Sequence, residues 1–363
     1  MDGTAVERGG TNPYDRLPVT AFWRPAVAQA HFADVGPLWR PKTLLTADQR
    51  VATFGSCFAQ HIGRALRKRG FQWLNTEPAP VTLSAESRKK YNYDVFTCRT
   101  GNIYTPSLLL QWTRWALRDE RVPAEVWERG GRVHDPFRPA VEPGGFDTAE
   151  EMMRLRGLTI RAFGEAIRSA DCFVFTLGLT ESWWNADGGY EYPACPGTIA
   201  GDFDAAAHAF RNLSFNEIRD ALTGAFDLMR AANPNIRFIL TVSPVPLVAT
   251  NSGSHVLVAT MESKSILRAV AGEMARQHPD VDYFPSYEII NSPAARGAFF
   301  EPNLRSVSAM GVDCVMGHFF RDPAASGPSA DARVEPAAAA DLTPTPSDVA
   351  CEEELLEAFL PRP

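Results

Sequence analysis

The sequence has 363 residues, of which 45% are hydrophobic and 22% are charged, and its formal net charge is -7. This length allows a sizeable core, and the composition is ordinary for a globular protein. The chain has no basic stripe for nucleic acid, no run of 18 apolar residues for a membrane span and no secretory pattern in its polar first 20 residues, so we expect a cytoplasmic protein.

The first 45 residues form an irregular, proline-rich segment. Its aromatic residues could pin it to a core: Phe22, Trp23 and Trp39. Residues 50–56 then predict a short buried strand, which runs directly into a helical pattern that ends at Gly70, a suitable C-cap. A second strand is predicted at 71–75, so this part of the chain opens as a β-α-β unit.

The middle of the chain contains a predicted insertion at 76–147, rich in aromatic residues, proline and glycine, with one helix at about 106–118. A helix is expected at 148–170. The continuous apolar run at 171–178 predicts a buried strand. Residues 179–213 predict a long loop of functional importance, since a loop of this length is usually functional or disordered and its aromatic content argues against disorder.

Strands and helices continue to alternate in the C-terminal half. The expected elements are helices at 214–232, 259–277 and 308–320 and strands at 236–243 and 281–290, the last interrupted by Pro285. This alternation predicts one α/β domain over residues 46–321, with a mostly parallel sheet covered by helices on both faces. Residues 322–363 form an Ala/Pro-rich tail, predicted to be disordered to about residue 350 and then to form a solvated or short acidic helical end.

The six cysteines show no Cys-x-x-Cys pair and no spacing typical of a zinc site. We interpret them as free thiols of a reducing compartment, most of them buried, and we predict neither a metal nor a cofactor. Cys57 differs because it follows Gly55 and Ser56 at the start of a helix. The helix dipole and free N–H groups there favour the thiolate, although a cysteine after a buried strand is often a packing residue.

The segment FGSCFAQHIGRAL resembles the defining block of the GSCFA family, which belongs to the wider SGNH/GDSL-hydrolase group. Further blocks, including TLGLTESWW and LTVSPVPLVAT, extend the resemblance over about residues 45–320. The resemblance implies a flavodoxin-type, three-layer α/β sandwich with a large insertion. It also implies an esterase or acyltransferase acting on acyl esters of a carbohydrate or related small molecule, in a family associated with polysaccharide biosynthesis.

The resemblance also implies roles for single residues. The wider group has its nucleophile in a Phe-Gly-Asp-Ser turn, and matching residues 54–57 to this turn makes Cys57 the nucleophile and Ser56 its rival. The oxyanion hole would consist of the N–H groups of Cys57 and Gly178 and the hydroxyl of Thr180, which stands where the group has Asn.

The Asp-x-x-His of the wider group has no counterpart, because the corresponding residues are 303–306, Asn-Leu-Arg-Ser. Three explanations are open. His255 could serve as the base, helped by Glu181; the thiol could already be ionised, with Arg305 or Lys264 holding an anion; or the cleft could be a non-catalytic module that binds a carbohydrate or acyl donor. The residues expected to contact a small-molecule or carbohydrate substrate are His61, Trp183, Trp184, Lys264, Tyr287, Glu301, Asn303 and Arg305.

Overall fold

The computed structural model describes residues 12–32, 35–321 and 352–360. The strands are β1 (Arg50–Gly55), β2 (Gln72–Trp73), β3 (Trp127–Arg129), β4 (Arg132–His134), β5 (Cys172–Leu177), β6 (Glu181–Asn185), β7 (Glu191–Tyr192), β8 (His208–Asn212), β9 (Arg237–Val242) and β10 (Val281–Tyr283). The α-helices are α1 (Ala59–Lys68), α2 (Ala85–Lys90), α3 (Pro106–Leu117), α4 (Ala149–Ser169), α5 (Phe215–Ala232), α6 (Val256–Gln277), α7 (Ser286–Asn291) and α8 (Ala309–Phe319).

A five-stranded sheet forms the centre of the molecule, in the order β2-β1-β5-β9-β10 with every neighbouring pair parallel. Numbered along the chain, its strands follow the flavodoxin-type order 2-1-3-4-5. This confirms the predicted α/β sandwich with a parallel sheet. The strand order reverses between β1 and β5, and in such sheets the crevice outside the carboxyl ends of these two strands is where ligands bind.

Both faces of this sheet are buried under helices. Along β1, Ala52 and Phe54 join one hydrophobic core, while Val51 joins the other. The same alternation in β5 places Phe173 in the first core and Val174 in the second. Burial on both faces explains why β5 is a continuous apolar run and why its sequence predicted a strand so clearly.

Residues 179–213, predicted to be a loop, instead contain a three-stranded antiparallel sheet in the order β7-β6-β8. Between β6 and β7 the chain turns at Gly188 and Gly189, where Gly189 has φ +65° and Asn185 Oδ1 accepts the Gly188 N–H at 2.7 Å. Asp-Gly-Gly between two aromatic runs is a hairpin signal.

The predicted strand at 281–290 is wrong in its second half, where α7 forms. Pro285 lacks an N–H and has a restricted φ, so it ends the strand pairing and suits the residue before a helix. The Ser286 hydroxyl bonds the Val242 carbonyl oxygen at 2.9 Å, which attaches α7 to the end of β9.

The N-terminal segment is held to the second core by part of its aromatic set. Trp39 stacks on Phe319 at 5.3 Å between ring centroids, and Phe32 contacts Phe299 at 5.6 Å. Trp23, expected to serve the same purpose, is 64% exposed, and Phe22 is also exposed.

The insertion contributes α3, which packs against α4 and α5 and buries Trp112 completely. The predicted disorder at 322–350 falls outside the described residues, and a 3-10 helix follows at Glu352–Phe359. Across residues 12–32, 35–321 and 352–360, none of the helices combines the length and hydropathy that a membrane span requires.

Candidate active site

The candidate site begins where β1 ends, at Gly55. This residue has φ +129°, and a Cβ built on it would lie 2.3 Å from the carbonyl oxygen of Thr176 on β5. The Ser56 N–H donates to that same oxygen at 2.9 Å, and Ile103 N–H donates to the Gly55 carbonyl at 2.9 Å. The glycine therefore lets the chain cross closely over β5 and places Ser56 in the crevice between the two strands.

Cys57 lies in the first turn that leads into α1. The N–H groups of Ala59 and Gln60 donate to the carbonyls of Ser56 and Cys57 at 2.9 and 3.2 Å, so this turn is tight. The Phe58 N–H has no hydrogen-bond acceptor among the residues that the structure describes. The Cys57 side chain is only 5% exposed and sits at the positive end of the helix dipole, as the sequence predicted.

A cavity of about 10 Å³ lies against this turn, which is room for about one water-sized group. It is lined by Ser56, Cys57, Tyr104, Gly178, Leu179, Ser243, Val245, Leu247 and Lys264. We call it the Cys57 cavity. Its walls come from the carboxyl ends of β1, β5 and β9 and from α6, which is the position expected for a site in a parallel sheet.

Lys264, on α6, is the cationic residue of the Cys57 cavity. Its side chain is 2% exposed, and its Nζ donates to the Gly178 carbonyl oxygen at 2.5 Å. A buried ammonium group is costly unless it is hydrogen-bonded or paired with charge, so this position requires specific partners. The next loop is attached to the same helix, since Thr180 N–H donates to Ser263 Oγ at 3.0 Å.

The GSCFA family model matches residues 50–319, which include β1, the Cys57 turn, Lys264 and α8. This protein belongs to the GSCFA family. No protein with a curated description matches the sequence.

Solved structures similar to this GSCFA protein include two esterases. A carbohydrate esterase family 3 protein from Talaromyces cellulolyticus is 10% identical, with a TM-score of 0.35 over 75% of this chain and 94% of that chain. The acetyl xylan esterase Est2A from the rumen bacterium Butyrivibrio proteoclasticus is 14% identical, with a TM-score of 0.24 over 67% of this chain and 56% of that chain.

Two donors that the sequence assigned to the oxyanion hole have other hydrogen-bond partners in this structure. The Gly178 N–H donates to the Tyr104 carbonyl at 2.8 Å, and the buried Thr180 hydroxyl donates to Asn212 Oδ1 at 2.6 Å. Tyr104 belongs to the insertion and Asn212 to β8, so two different parts of the chain hold these donors. Of the predicted donors, the Cys57 N–H keeps its place in the first turn of the helix.

His255 does not reach the Cys57 cavity. Its ring is exposed at the N-terminus of α6, where Nδ1 accepts the Leu257 N–H at 3.2 Å as an N-cap. Glu181 instead accepts hydrogen bonds from the Thr250 hydroxyl at 2.5 Å and the Asn251 N–H at 3.3 Å. Burial raises the pKa of Glu181. His255 thus caps α6 and Glu181 closes the loop after β9, so their positions give no support to the prediction that His255 serves as the base, helped by Glu181.

His61 and Tyr287 also lie outside the Cys57 cavity. The His61 ring packs on Phe58 at 5.4 Å between centroids, and burial lowers the pKa of His61 to about 4, so the ring is neutral at physiological pH. Tyr287 lies in a surface groove beside Arg268 and Phe215, and burial raises its pKa. Neither residue lines the Cys57 cavity, so their predicted contact with a substrate stays a prediction.

Glu301, Asn303 and Arg305, predicted to contact substrate, form a tight turn ahead of α8. Asn303 Oδ1 accepts the N–H groups of Arg305 and Ser306 at 3.0 and 2.9 Å. The Arg305 guanidinium pairs with Glu354 of the C-terminal 3-10 helix at 3.2 Å. In this protein, the place of the missing Asp-x-x-His is thus a polar turn that holds the C-terminal segment.

A second, larger cavity of about 240 Å³ adjoins the first. The two share the wall residues Tyr104, Leu179 and Leu247. We call the larger one the aromatic cavity, because its walls include Tyr104, Trp183, Tyr192 and Phe210, together with Glu181, Glu191, Cys195 and Leu356. The prediction that Trp183 lines a cleft agrees with this position, whereas Trp184 lies under the Arg211 guanidinium at 4.7 Å.

Two residues of these cavities were missed by the sequence analysis. Tyr104 lies in the insertion, far from any strand end, and Glu191 became interpretable only once β6 and β7 were paired. The Asp-Gly-Gly turn was the signal that could have found Glu191, because a hairpin at this point places residues 183 and 192 opposite each other.

The other described cysteines are free thiols in less reactive surroundings. Burial raises the pKa of Cys172 to about 12 and that of Cys195 to about 11, and it raises the pKa of Cys98 as well. Cys351 lies outside the described residues. In the described part of the chain, no three His, Cys, Asp or Glu side chains gather closely enough to hold a metal ion.

Proposed function

We propose that this protein is an esterase or acyltransferase that acts on acyl esters of a carbohydrate or related small molecule, with Cys57 as the nucleophile. One observation carries this proposal. A thiol at a helix start, in the crevice between β1 and β5, shares a buried cavity with the ammonium group of Lys264. That pairing supplies a nucleophile and a proton carrier without any histidine.

The helix N-terminus and Lys264 both favour the thiolate of Cys57. The sulfur attacks the acyl carbonyl carbon, and a C–S bond forms. The tetrahedral intermediate then collapses: the C–O bond to the sugar breaks, and the departing sugar oxygen takes a proton from the Lys264 ammonium. A thioester on Cys57 and a neutral lysine amine are left.

The second half of the reaction returns both groups to their starting state. Water or an acceptor hydroxyl loses its proton to Lys264 while its oxygen attacks the thioester carbon. The C–S bond breaks, and the thiolate leaves. The Cys57 cavity has room for about one water-sized group. If water reaches the thioester, the acyl group is hydrolysed, and if an acceptor hydroxyl reaches it instead, the acyl group is transferred.

The oxyanion would be received by the turn itself. The backbone N–H groups of Cys57 and Phe58, in the turn that leads into α1, are the donors we assign to the developing charge. Two preorganised N–H groups at a helix start form the usual kind of oxyanion hole, and removing one such donor typically costs about 100- to 1000-fold in rate.

The alternative is a non-catalytic binding module for a carbohydrate or acyl donor. The missing Asp-x-x-His favours it, and so does the engagement of Lys264 Nζ with the Gly178 carbonyl. A cavity that binds without reacting would still need its aromatic walls, but it would not need a thiol at a helix start.

The test is reaction with p-nitrophenyl acetate, followed by release of p-nitrophenol and by intact mass. We expect acetylation of the wild type that is lost in Cys57→Ala, kept in Ser56→Ala and slowed about 100-fold in Lys264→Met. Cys195→Ala is the matched control, since Cys195 lines the adjoining aromatic cavity. Acetylation of Cys57→Ala at the wild-type rate contradicts the thiol mechanism, and a wild type inert to the ester supports the binding module.

A further inference from the structure

Glu191 is a buried carboxyl in the wall of the aromatic cavity. Its side chain is 1% exposed. The backbone on either side is held by α3, since the Glu191 N–H donates to Gln111 Oε1 at 2.8 Å and Gln111 Nε2 donates to the Glu191 carbonyl at 2.9 Å. The carboxyl group is therefore fixed in position before any ligand arrives.

The two oxygens of this carboxyl differ in their partners. Oε1 accepts the hydroxyl of Thr105. Thr105 Oγ1 also accepts the Leu108 N–H at 3.1 Å and lies 3.1 Å from Ser107 Oγ. Oε2 is fully buried and meets no hydrogen-bond geometry with the described residues, although the Ser107 and Ser182 hydroxyls lie near enough to oppose the rise in the pKa of this carboxyl that burial causes. A buried polar atom left in this way costs about 1–3 kcal/mol, so it requires an explanation.

The surroundings of Glu191 suit a polar ring with apolar faces. Trp183, Tyr192 and Phe210 supply aromatic surface in the same cavity. Its other carboxyl, Glu181, already accepts hydrogen bonds from Thr250 and Asn251. Glu191 Oε2 is thus an acceptor that the fold leaves for a ligand.

We propose that Glu191 Oε2 receives a hydroxyl or amino group on the sugar ring that carries the acyl ester, with the ring packed against Trp183 in the aromatic cavity. This inference rests on the proposed function and names the part of the substrate that the second cavity recognises. A volume of about 240 Å³ fits one sugar ring. Tyr104, Leu179 and Leu247 line both cavities, so a ring in the aromatic cavity lies next to the cavity that holds Cys57.

Above the pKa of Glu191, which burial raises to about 7, the subsite disfavours an acidic sugar. A carboxylate ligand would face Glu181 and Glu191 across a low-dielectric space, where like charges repel strongly. A hydroxyl group can bind Glu191 in either protonation state, whereas an ammonium group binds to the ionised carboxylate. Hydroxyl and ammonium groups both donate a hydrogen bond to the carboxyl group. Comparing neutral glycosides with an amino glycoside shows which donor binds.

The test is isothermal titration calorimetry of the full chain with methyl glycosides of glucose, galactose, mannose and xylose, of glucosamine, and of glucuronic acid. We expect millimolar binding of at least one neutral or amino glycoside, no binding of the glucuronide, and at least a 10-fold weakening in Glu191→Gln. Glutamine keeps the size of the side chain but presents an amide instead of a carboxylate. Glu150→Gln, at an exposed position on α4, is the matched control and should bind as the wild type does.

Failure of this inference is distinguishable from failure of the proposed function. Acetylation of wild-type Cys57 by p-nitrophenyl acetate needs no sugar, so it tests the proposed function independently of glycoside binding. Equal glycoside affinity in Glu191→Gln and the wild type overturns the subsite, and so does a wild type that binds none of the neutral or amino glycosides. Sugar binding without any acylation of Cys57 would support the sugar subsite and contradict the proposed enzyme activity.

Discussion

At Gly55 the chain turns with φ +129° beneath Cys57, and the nearest atom to a built Cβ is the Thr176 carbonyl oxygen at 2.3 Å. Gly55→Ala should therefore destabilise the protein by about 3 kcal/mol or more and misplace the nucleophile. Gly70→Ala is the control: Gly70 also has positive φ, at +75°, but open space around its Cβ, and should cost about 1 kcal/mol. Urea denaturation measures both variants. Equal costs would contradict the close approach of β1 and β5.

Burial raises the pKa of Glu191 to about 7, from a usual value of 4.5, against the smaller opposing effects of the Ser107 and Thr105 hydroxyls. The folded protein then holds this proton more tightly than the unfolded chain does, so the free energy of unfolding falls as pH rises from 4.5 to 7. Relative to the wild type, Glu191→Gln should gain stability between pH 5 and pH 8, by at most about 3 kcal/mol. Urea titrations at both pH values test this, and a pH-independent difference would refute it.

The sequence predicted single residues unevenly. The position of Cys57 at a helix start could be predicted, because the strand, the glycine and the helix that surround it are all local sequence patterns. Lys264 was assigned only to holding an anion, and His255 was preferred as the base, because the position of a residue after a strand does not reveal where its side chain points. Glu191 becomes interpretable through the pairing of β6 and β7, for which the Asp-Gly-Gly turn is the signal in the sequence.

Helix α6 carries both His255, which the sequence predicted to be the base, and Lys264, which it predicted to hold an anion. His255 caps its first turn, and Lys264 enters the Cys57 cavity farther along. His255→Ala should therefore cost only about 1 kcal/mol of stability, as the loss of an N-cap does, and leave acetylation of Cys57 within about twofold of wild type. A general base would lose about 100-fold or more. Chemical denaturation and the p-nitrophenol rate together decide between these roles.

Alternating strands and helices were predicted well because apolar periodicity is local. The helix predicted at 106–118 forms as α3, and the strand predicted at 236–243 forms as β9. Predictions failed where context decided. Pro285 converts the end of an apolar run into a helix boundary, and β6, β7 and β8 are too short for their periodicity to be recognised.

For the whole molecule, the parallel sheet and its strand order follow from the βα alternation and the family resemblance, whereas contacts between distant parts of the chain do not. The C-terminal 3-10 helix is such a contact, since Glu354 pairs with Arg305 and Leu356 lines the aromatic cavity.

Truncation after residue 321 tests how far the fold depends on this segment. The Arg305–Glu354 pair is partly exposed, and such pairs contribute about 1 kcal/mol or less. We therefore expect a melting temperature within a few degrees of the full chain and a more open aromatic cavity, seen as faster alkylation of Cys195 by iodoacetamide. A large fall in melting temperature would show that the C-terminal segment is an integral part of the fold.

The central claim is that Cys57 carries the acyl group during turnover. The most direct measurement is peptide mapping of the wild-type protein after a rapid acid quench of its reaction with p-nitrophenyl acetate. We predict an acetyl group on the sulfur of Cys57, removed by neutral hydroxylamine as a thioester is. An acetyl group found instead on Ser56 or Lys264, and stable to hydroxylamine, would contradict this account.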